Sequence, residues 1–260
     1  EKREKSREPD VKPDSVDGKD KKEKKEKHKE VKEKDKKEKK KKISTDNVES
    51  STDIFPVFGM SLGLAVERSK CHDGIKLPLI VRNCIDFLQE NLTSDQIYKA
   101  DNIPKTRIQS LKKSYNNREP ITEEMDVATA CSLLKTYISE LPEPILTTEL
   151  ITRFEEVSAL PDVTTQASEF SLLIDQLPKV NQILLAWLTR HLSAVINHGK
   201  SNKLNAQCLA VLLSPIFQMS HRLLITLLCH ADLLFADVEL QKCVFFDLFF
   251  TVEIEKHPLH

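Results

Sequence analysis

The side chains able to do chemistry in this chain are few and scattered. Six cysteines stand at 71, 84, 131, 208, 229 and 243, and none forms a Cys-x-x-Cys pair. Cys71-His72 and Cys229-His230 set two metal-ligand types side by side. Adjacent residues on a helix point in different directions and no ligand spacing repeats, so no metal site is expected. The eight histidines form no His-Glu-x-x-His pattern, which excludes a zinc protease of that type. Five glycines without a cluster leave no Rossmann or P-loop phosphate cradle. Taken alone, Lys99 reads as a solvated lysine and Lys135 as a surface lysine on a helix face. Cys208 lies in an apolar run and reads as a small buried hydrophobe rather than a reactive thiol.

The elements that must position such residues are set by a sharp change in composition. The 260 residues carry a formal net charge of −1, but residues 1–52 hold a net +5 and residues 53–260 a net −6. The first segment has almost no large apolar residue and cannot bury a core. From Lys19 to Lys42 there are 15 lysines and 7 acids in 24 positions, with Glu-to-Lys pairs four residues apart at 23/27, 30/34, 33/37 and 38/42. Each pair adds about 0.2–0.5 kcal/mol to a helix, enough for a transient one but not a packed one. This arm reads as a disordered or transiently helical linker, or as an electrostatic tether for anionic membrane lipid. A nuclear-import signal is a weaker alternative. Interleaved acids and the absence of aromatics argue against a nucleic-acid surface.

No uncharged apolar stretch is long enough to span a membrane, and the N-terminal residues hold no signal-peptide core. The cysteines are therefore expected to be reduced, in a cytosolic or nuclear setting. After a polar linker at 43–54, apolar periodicity predicts helices over 77–91, 104–117, 126–141, 147–157, 166–177 and 178–197. Others are predicted over 204–213, 220–232 and 240–252. Prolines 78, 104 and 178 suit helix first turns, and Asp126 suits a cap. The run 204–213 is nearly all apolar and is expected to lie in the core, as is Trp187. No segment alternates with period two, so the fold class is all-α.

Ordered motifs carry the reading further. They are Phe58-Gly59-Met60-Ser61-Leu62, Gly74-Ile75-Lys76-Leu77-Pro78, and Gln96-Ile97-Tyr98-Lys99-Ala100-Asp101-Asn102. The run Ser132-Leu133-Leu134-Lys135 continues to Leu141-Pro142-Glu143-Pro144, and Asn202-Lys203-Leu204-Asn205 continues through Cys208 to Ser214-Pro215. In this order the chain resembles the RhoGAP domain family over roughly residues 55–252. Within that family it is most similar to the Ral-binding RhoGAP proteins, which also carry a Lys/Glu-rich arm. The resemblance implies a charged arm and linker at 1–53, a RhoGAP-like helical bundle at 54–252 and a tail at 253–260. The Ral-binding coiled coil of those proteins has no heptad counterpart after Val252, so Ral binding is not carried over.

What the resemblance implies about chemistry is specific. A RhoGAP completes the active site of a Rho-family GTPase, so the domain needs no cofactor: the GTP and Mg²⁺ belong to the partner. The family's catalytic arginine finger falls at Lys99, which keeps the charge but not the planar fork. Gln96 and Asn102 replace two glycines of the finger motif. Asn102 tolerates a left-handed backbone, whereas Gln96 is a poor substitute if positive φ is needed there. The GTPase-binding positions are Lys135 (retained), Ser139 (arginine in the family), Cys208 (asparagine in the family) and Pro215 (retained). Three readings follow: a Rho- or Rac-binding domain with weakened or lost activity, a slow activator using Lys99 as its finger, and a scaffold recruited by the arm. The expected location is cytoplasmic, at the membrane periphery.

Overall fold

A computed structural model describes residues 55–99 and 103–241. The arm, Asn102, Cys243, the predicted helix beyond residue 241 and the tail lie outside the described residues.

The described chain is helical, without strands. Its helices are α1 (Leu62–Arg68), α2 (Leu79–Glu90), α3 (Lys105–Asn117), α4 (Val127–Ser139), α5 (Thr147–Ser158) and α6 (Val163–Gln176). They continue with α7 (Lys179–Asn197), α8 (Gly199–Asn202), α9 (Ala206–Phe217), α10 (His221–Cys229) and α11 (Ala231–Leu234). Prolines 78, 104 and 178 stand immediately before α2, α3 and α7. There the missing proline N–H costs nothing, because the first turn has no acceptor for it. Asp126 caps α4 by accepting the Thr129 N–H at 2.7 Å. Asp162 does the same for α6 through Thr165 at 2.6 Å. That cap starts α6 three residues before the predicted Gln166.

The central element is α7, about 28 Å long at 1.5 Å per residue. It buries Leu184, Leu185, Trp187, Leu188, Leu192 and Val195 and packs against α1, α2, α10 and α11. On its far side α2 packs against α4 through Ile80, Val81, Cys84, Ile85 and Leu88, all inaccessible to solvent. Each such aliphatic side chain contributes about 1.5–3 kcal/mol on leaving water. Among the described residues no single helix is long and apolar enough to cross a membrane.

Two sequence readings are corrected here. The apolar run at 204–213 is not uniformly buried. It belongs to α9, whose inward stripe is Leu209, Ala210, Leu213, Ser214 and Phe217, while Cys208, Val211 and Pro215 are exposed on the other side. Helical geometry sends residues three and seven positions apart to one face, so composition alone misplaced them. Secondly, Leu240 and Gln241, the described start of the last predicted helix, are not helical.

Two buried polar side chains, Arg82 and His191, tie separate elements together. Arg82 on α2 is 1% exposed. Its Nε donates to both Asp86 carboxylate oxygens at 2.9 Å, and its other nitrogens reach Asp73 at 2.7 Å and the Gln241 carbonyl at 2.5 Å. The guanidinium lies 4.4 Å from the Trp187 ring centre. His191 on α7 is 0% exposed. Its Nδ1 lies 3.0 Å from the Gln89 amide nitrogen and its Nε2 2.8 Å from the Tyr98 hydroxyl. With the Gln89 amide donating to Nδ1, the ring proton sits on Nε2 and is donated to Tyr98.

Both arrangements give measurable expectations. Arg82→Met leaves Asp86 charged and buried, and should cost about 3–5 kcal/mol in urea unfolding, whereas Arg82→Met with Asp86→Leu should recover most of it. Burial lowers the His191 pKa from 6.5 to about 3. A histidine held neutral in the fold contributes stability above its unfolded pKa, and that stability is lost as pH falls from there toward the folded value. From about pH 7.5 to about pH 5 the loss should be about 2 kcal/mol. Unfolding midpoints at the two pH values for the parent and His191→Gln check this, since the variant should lose correspondingly less.

Candidate functional site

The site is built from the loop between α2 and α3, the outer face of α4 and the turn entering α9. The loop leaves α2 at Asn91 and runs without regular structure to Lys99. Ile97 is inaccessible and Tyr98 is 2% exposed, whereas Gln96 and Lys99 on either side are exposed. Among the described residues of this loop the left-handed backbone is at Tyr98, with φ +58°, and not at Gln96. The glycine position at 96 is therefore not where positive φ is required here. For a bulky residue that conformation costs about 1–2 kcal/mol and must be held by its surroundings. The Tyr98 N–H donates to the Cys131 sulfur on α4 at 3.2 Å, and its hydroxyl meets His191 on α7.

Lys99 is tied as well. Its Nζ donates to the backbone carbonyl of Asn202 at 2.6 Å. Asn202, the last residue of α8, is itself fully buried. Its side-chain amide donates to the carbonyls of Leu92 and Val195, both at 2.8 Å, and its Oδ1 accepts the Leu204 N–H at 2.9 Å. One asparagine thus holds the loop at two points, Leu92 and Lys99. The turn around it needs Gly199, where a Cβ would come within 2.5 Å of the Leu204 carbonyl oxygen. Three residues on, Asn205 caps α9 by accepting the Cys208 N–H at 2.8 Å.

Lys135 lies one turn beyond Cys131 on α4, and Ser139 one turn beyond Lys135, on one helix face. Lys135 is partly exposed and Ser139 exposed, with the Ser139 hydroxyl returned to the Thr136 carbonyl at 2.9 Å. Burial pushes the Cys131 thiol up to about 11, against the opposing pull of the Tyr98 N–H and the Lys135 charge. The same sulfur therefore links the loop to the helix that carries Lys135. Beside Ser139, Glu140 is paired with Lys112 at 2.6 Å. α9 packs against α4 and exposes Cys208, Val211 and Pro215 on its other side. Pro215 lies farthest out, about 10 Å along α9 from Cys208.

Cys208 is exposed, which overturns its reading as a buried hydrophobe. Tyr98, His191, Gln89 and Asn202 were not singled out from sequence as site residues. The Tyr98–His191, Gln89–His191 and Leu92–Asn202 contacts join residues 93, 102 and 110 positions apart, so no local spacing could reveal them. Among the described residues no group of three His, Cys, Asp or Glu side chains is placed to hold a metal ion.

This arrangement can present one cation from a braced loop, beside a second lysine and an apolar helix face. The chain is 55% identical over 205 residues to RalA-binding protein 1 of Drosophila melanogaster, covering 76% of this chain and 33% of that protein. It is 37% identical over 191 residues to RalA-binding protein 1-A of Xenopus laevis, covering 73% and 29%. The chain thus spans about a third of the length of these curated relatives. The crystal structure of human Rho GTPase activating protein 15 shares the fold, with a TM-score of 0.60 and 22% identity, over 73% of this chain and 93% of that one. The RhoGAP domain family model matches residues 78–222, which contain Lys99, Lys135, Ser139, Cys208 and Pro215, and the chain belongs to that family.

Proposed function

We propose that this domain regulates a Rho-family small GTPase by docking on its GTP-loaded form, Rho or Rac, and that its acceleration of hydrolysis is weakened or lost. The observation that carries this is the state of position 99. The finger position holds a lysine whose ammonium is bonded to the Asn202 carbonyl. Catalysis by such a domain consists of placing charge against the transferring phosphoryl group, and an arginine finger supplies about 10³–10⁵ in rate. An ammonium places one charge on one atom. It is strongly hydrated and lacks the fork that bonds two phosphoryl oxygens together. Ser139 supplies no second cation, and Cys208 no amide. What supports docking is Lys135 on the α4 face and the exposed Cys208, Val211 and Pro215 of α9. The GTP and Mg²⁺ are the partner's.

The three altered positions favour a clean test. Ser139 and Cys208 are exposed, so neither Ser139→Arg nor Cys208→Asn disturbs the core. At the last residue of α4 an arginine also complements the helix dipole. In single-turnover hydrolysis at saturating domain, Lys99→Arg should raise the rate about tenfold or more, and adding the other two changes should raise it further. A parent chain that already accelerates hydrolysis about a thousandfold would contradict the weakened-activity reading. If neither the parent nor the restored chain binds any GTP-loaded Rho-family protein, the scaffold reading replaces it. The RalA binding stated in the relatives' names is not part of this proposal.

The arm is proposed to recruit the domain to the cytoplasmic face of a membrane. Its local excess of eight lysines over acids at 19–42 supports this. Each lysine close to anionic lipid contributes about 1 kcal/mol before screening. The full chain should co-sediment with phosphatidylserine vesicles in low salt and release in high salt. Equal partitioning of a chain lacking residues 1–52 would rule the tether out.

A further inference from the structure

The loop that carries Lys99 buries a hydroxyl where a plain ring would fill the space. Tyr98 packs in the core at 2% exposure with its backbone left-handed at φ +58°. Its hydroxyl meets the His191 Nε2 at 2.8 Å, and the imidazole is backed by Gln89 at 3.0 Å. The Tyr98 and His191 rings also lie against each other, with centres 5.8 Å apart. Tyr98 belongs to the loop, His191 to the middle of α7 and Gln89 to the last turn of α2. The chain of hydrogen bonds therefore joins the loop to the two helices that anchor the core. A phenylalanine would supply the same volume without a buried polar group to satisfy, so core filling alone does not account for the hydroxyl. What the hydroxyl adds is direction. It fixes the depth and rotation of the ring, and through the ring the left-handed peptide that leads directly into residue 99. The bond from the Tyr98 N–H to Cys131 fixes the same peptide from the α4 side.

We infer that Tyr98 and His191, backed by Gln89, form a positioning chain that sets where the side chain at 99 leaves the domain, so that hydrolysis in the docked complex depends on two groups remote from the nucleotide. This deepens the proposed function and rests on its reading of position 99 as the finger. Tyr98 and His191 are positioning residues, acting through the backbone of the loop. The neighbouring Asn202 contact then receives a lysine already aimed at it. Aim and affinity separate here, because docking relies on the faces of α4 and α9 and the rate relies on the loop.

The test uses the full chain carrying Lys99→Arg as reference, with Tyr98→Phe and with Tyr98→Phe plus His191→Leu. Misplacing a catalytic charge by a fraction of its reach should lower the maximal single-turnover rate about tenfold, with the half-saturating concentration within about twofold of the reference. The double variant removes both polar partners, so its thermal stability should return toward the reference while its rate stays low. A merely structural role predicts that the rate follows stability back up; that result, or an unchanged rate in Tyr98→Phe, overturns the proposal. Should the reference chain dock without accelerating hydrolysis, the failure lies with the finger reading of position 99. The backbone amide resonance of residue 99 then decides. A shift in both variants supports the positioning chain, and an unmoved resonance in both overturns it.

Discussion

The geometry of the site depends on Asn202. Its side chain donates to Leu92 and Val195 and accepts from Leu204, while its carbonyl receives Lys99. These contacts join the exit of α2, the end of α7, the entry to α9 and Lys99 in the loop. A fully buried amide with all its partners is rigid, because withdrawing any one leaves a buried group unsatisfied at about 1–3 kcal/mol. The loop has no regular hydrogen-bond ladder of its own. Its shape is therefore borrowed from Asn202 on one side and from Tyr98, Cys131 and His191 on the other.

The same contact shows why lysine and arginine are not equivalent at 99. A guanidinium spreads five N–H donors over three nitrogens, so it can keep a carbonyl on one edge and offer a fork on another. An ammonium has three donors on one nitrogen. While that nitrogen sits 2.6 Å from the Asn202 carbonyl, its charge is centred there. Bringing it to a phosphoryl oxygen means moving the whole charge, and with it the contact that ties the loop to α8. The residue that best secures the loop is then poorly suited to act from it.

Much of the fold was legible because it is locally encoded. Asp126 and the prolines at 78, 104 and 178 mark helix starts through first-turn chemistry, and the structure has helices beginning at those points. Asp162 carries the same signal, but Val163, Thr164 and Thr165 behind it are β-branched and poor in helix propensity, which hid the start of α6. The candidate residues Lys99, Lys135, Ser139, Cys208 and Pro215 were placed by motif order, yet their surroundings were not. Cys208 was misread because an apolar run says nothing about which side of a helix faces in. Positive φ was considered at the two missing glycine positions, Gln96 and Asn102; Asn102 lies outside the described residues, Gln96 is not left-handed, and Tyr98, which no missing glycine marked, is. Contacts between residues about a hundred positions apart decide that difference, and no spacing rule reaches so far.

Fold and chemistry separate in this domain for a physical reason. The side chains that hold the loop, Tyr98, Cys131, His191 and Asn202, are buried and mutually dependent. The side chains that would act on a partner in the proposed function, Lys99, Ser139 and Cys208, are exposed. An exposed side chain that holds no cap and no buried partner, as at Cys208, changes stability little, typically within about 0.5 kcal/mol. Replacing an arginine or asparagine there removes a charge or an amide from the interface without loosening the core beneath. The scaffold can then keep its full architecture and its apolar α9 face while losing the donors that stabilise a transition state. Under the proposed function reversal is equally local: returning donors to these exposed positions asks nothing new of the core, because Tyr98, Cys131, His191 and Asn202 already hold the loop at Lys99.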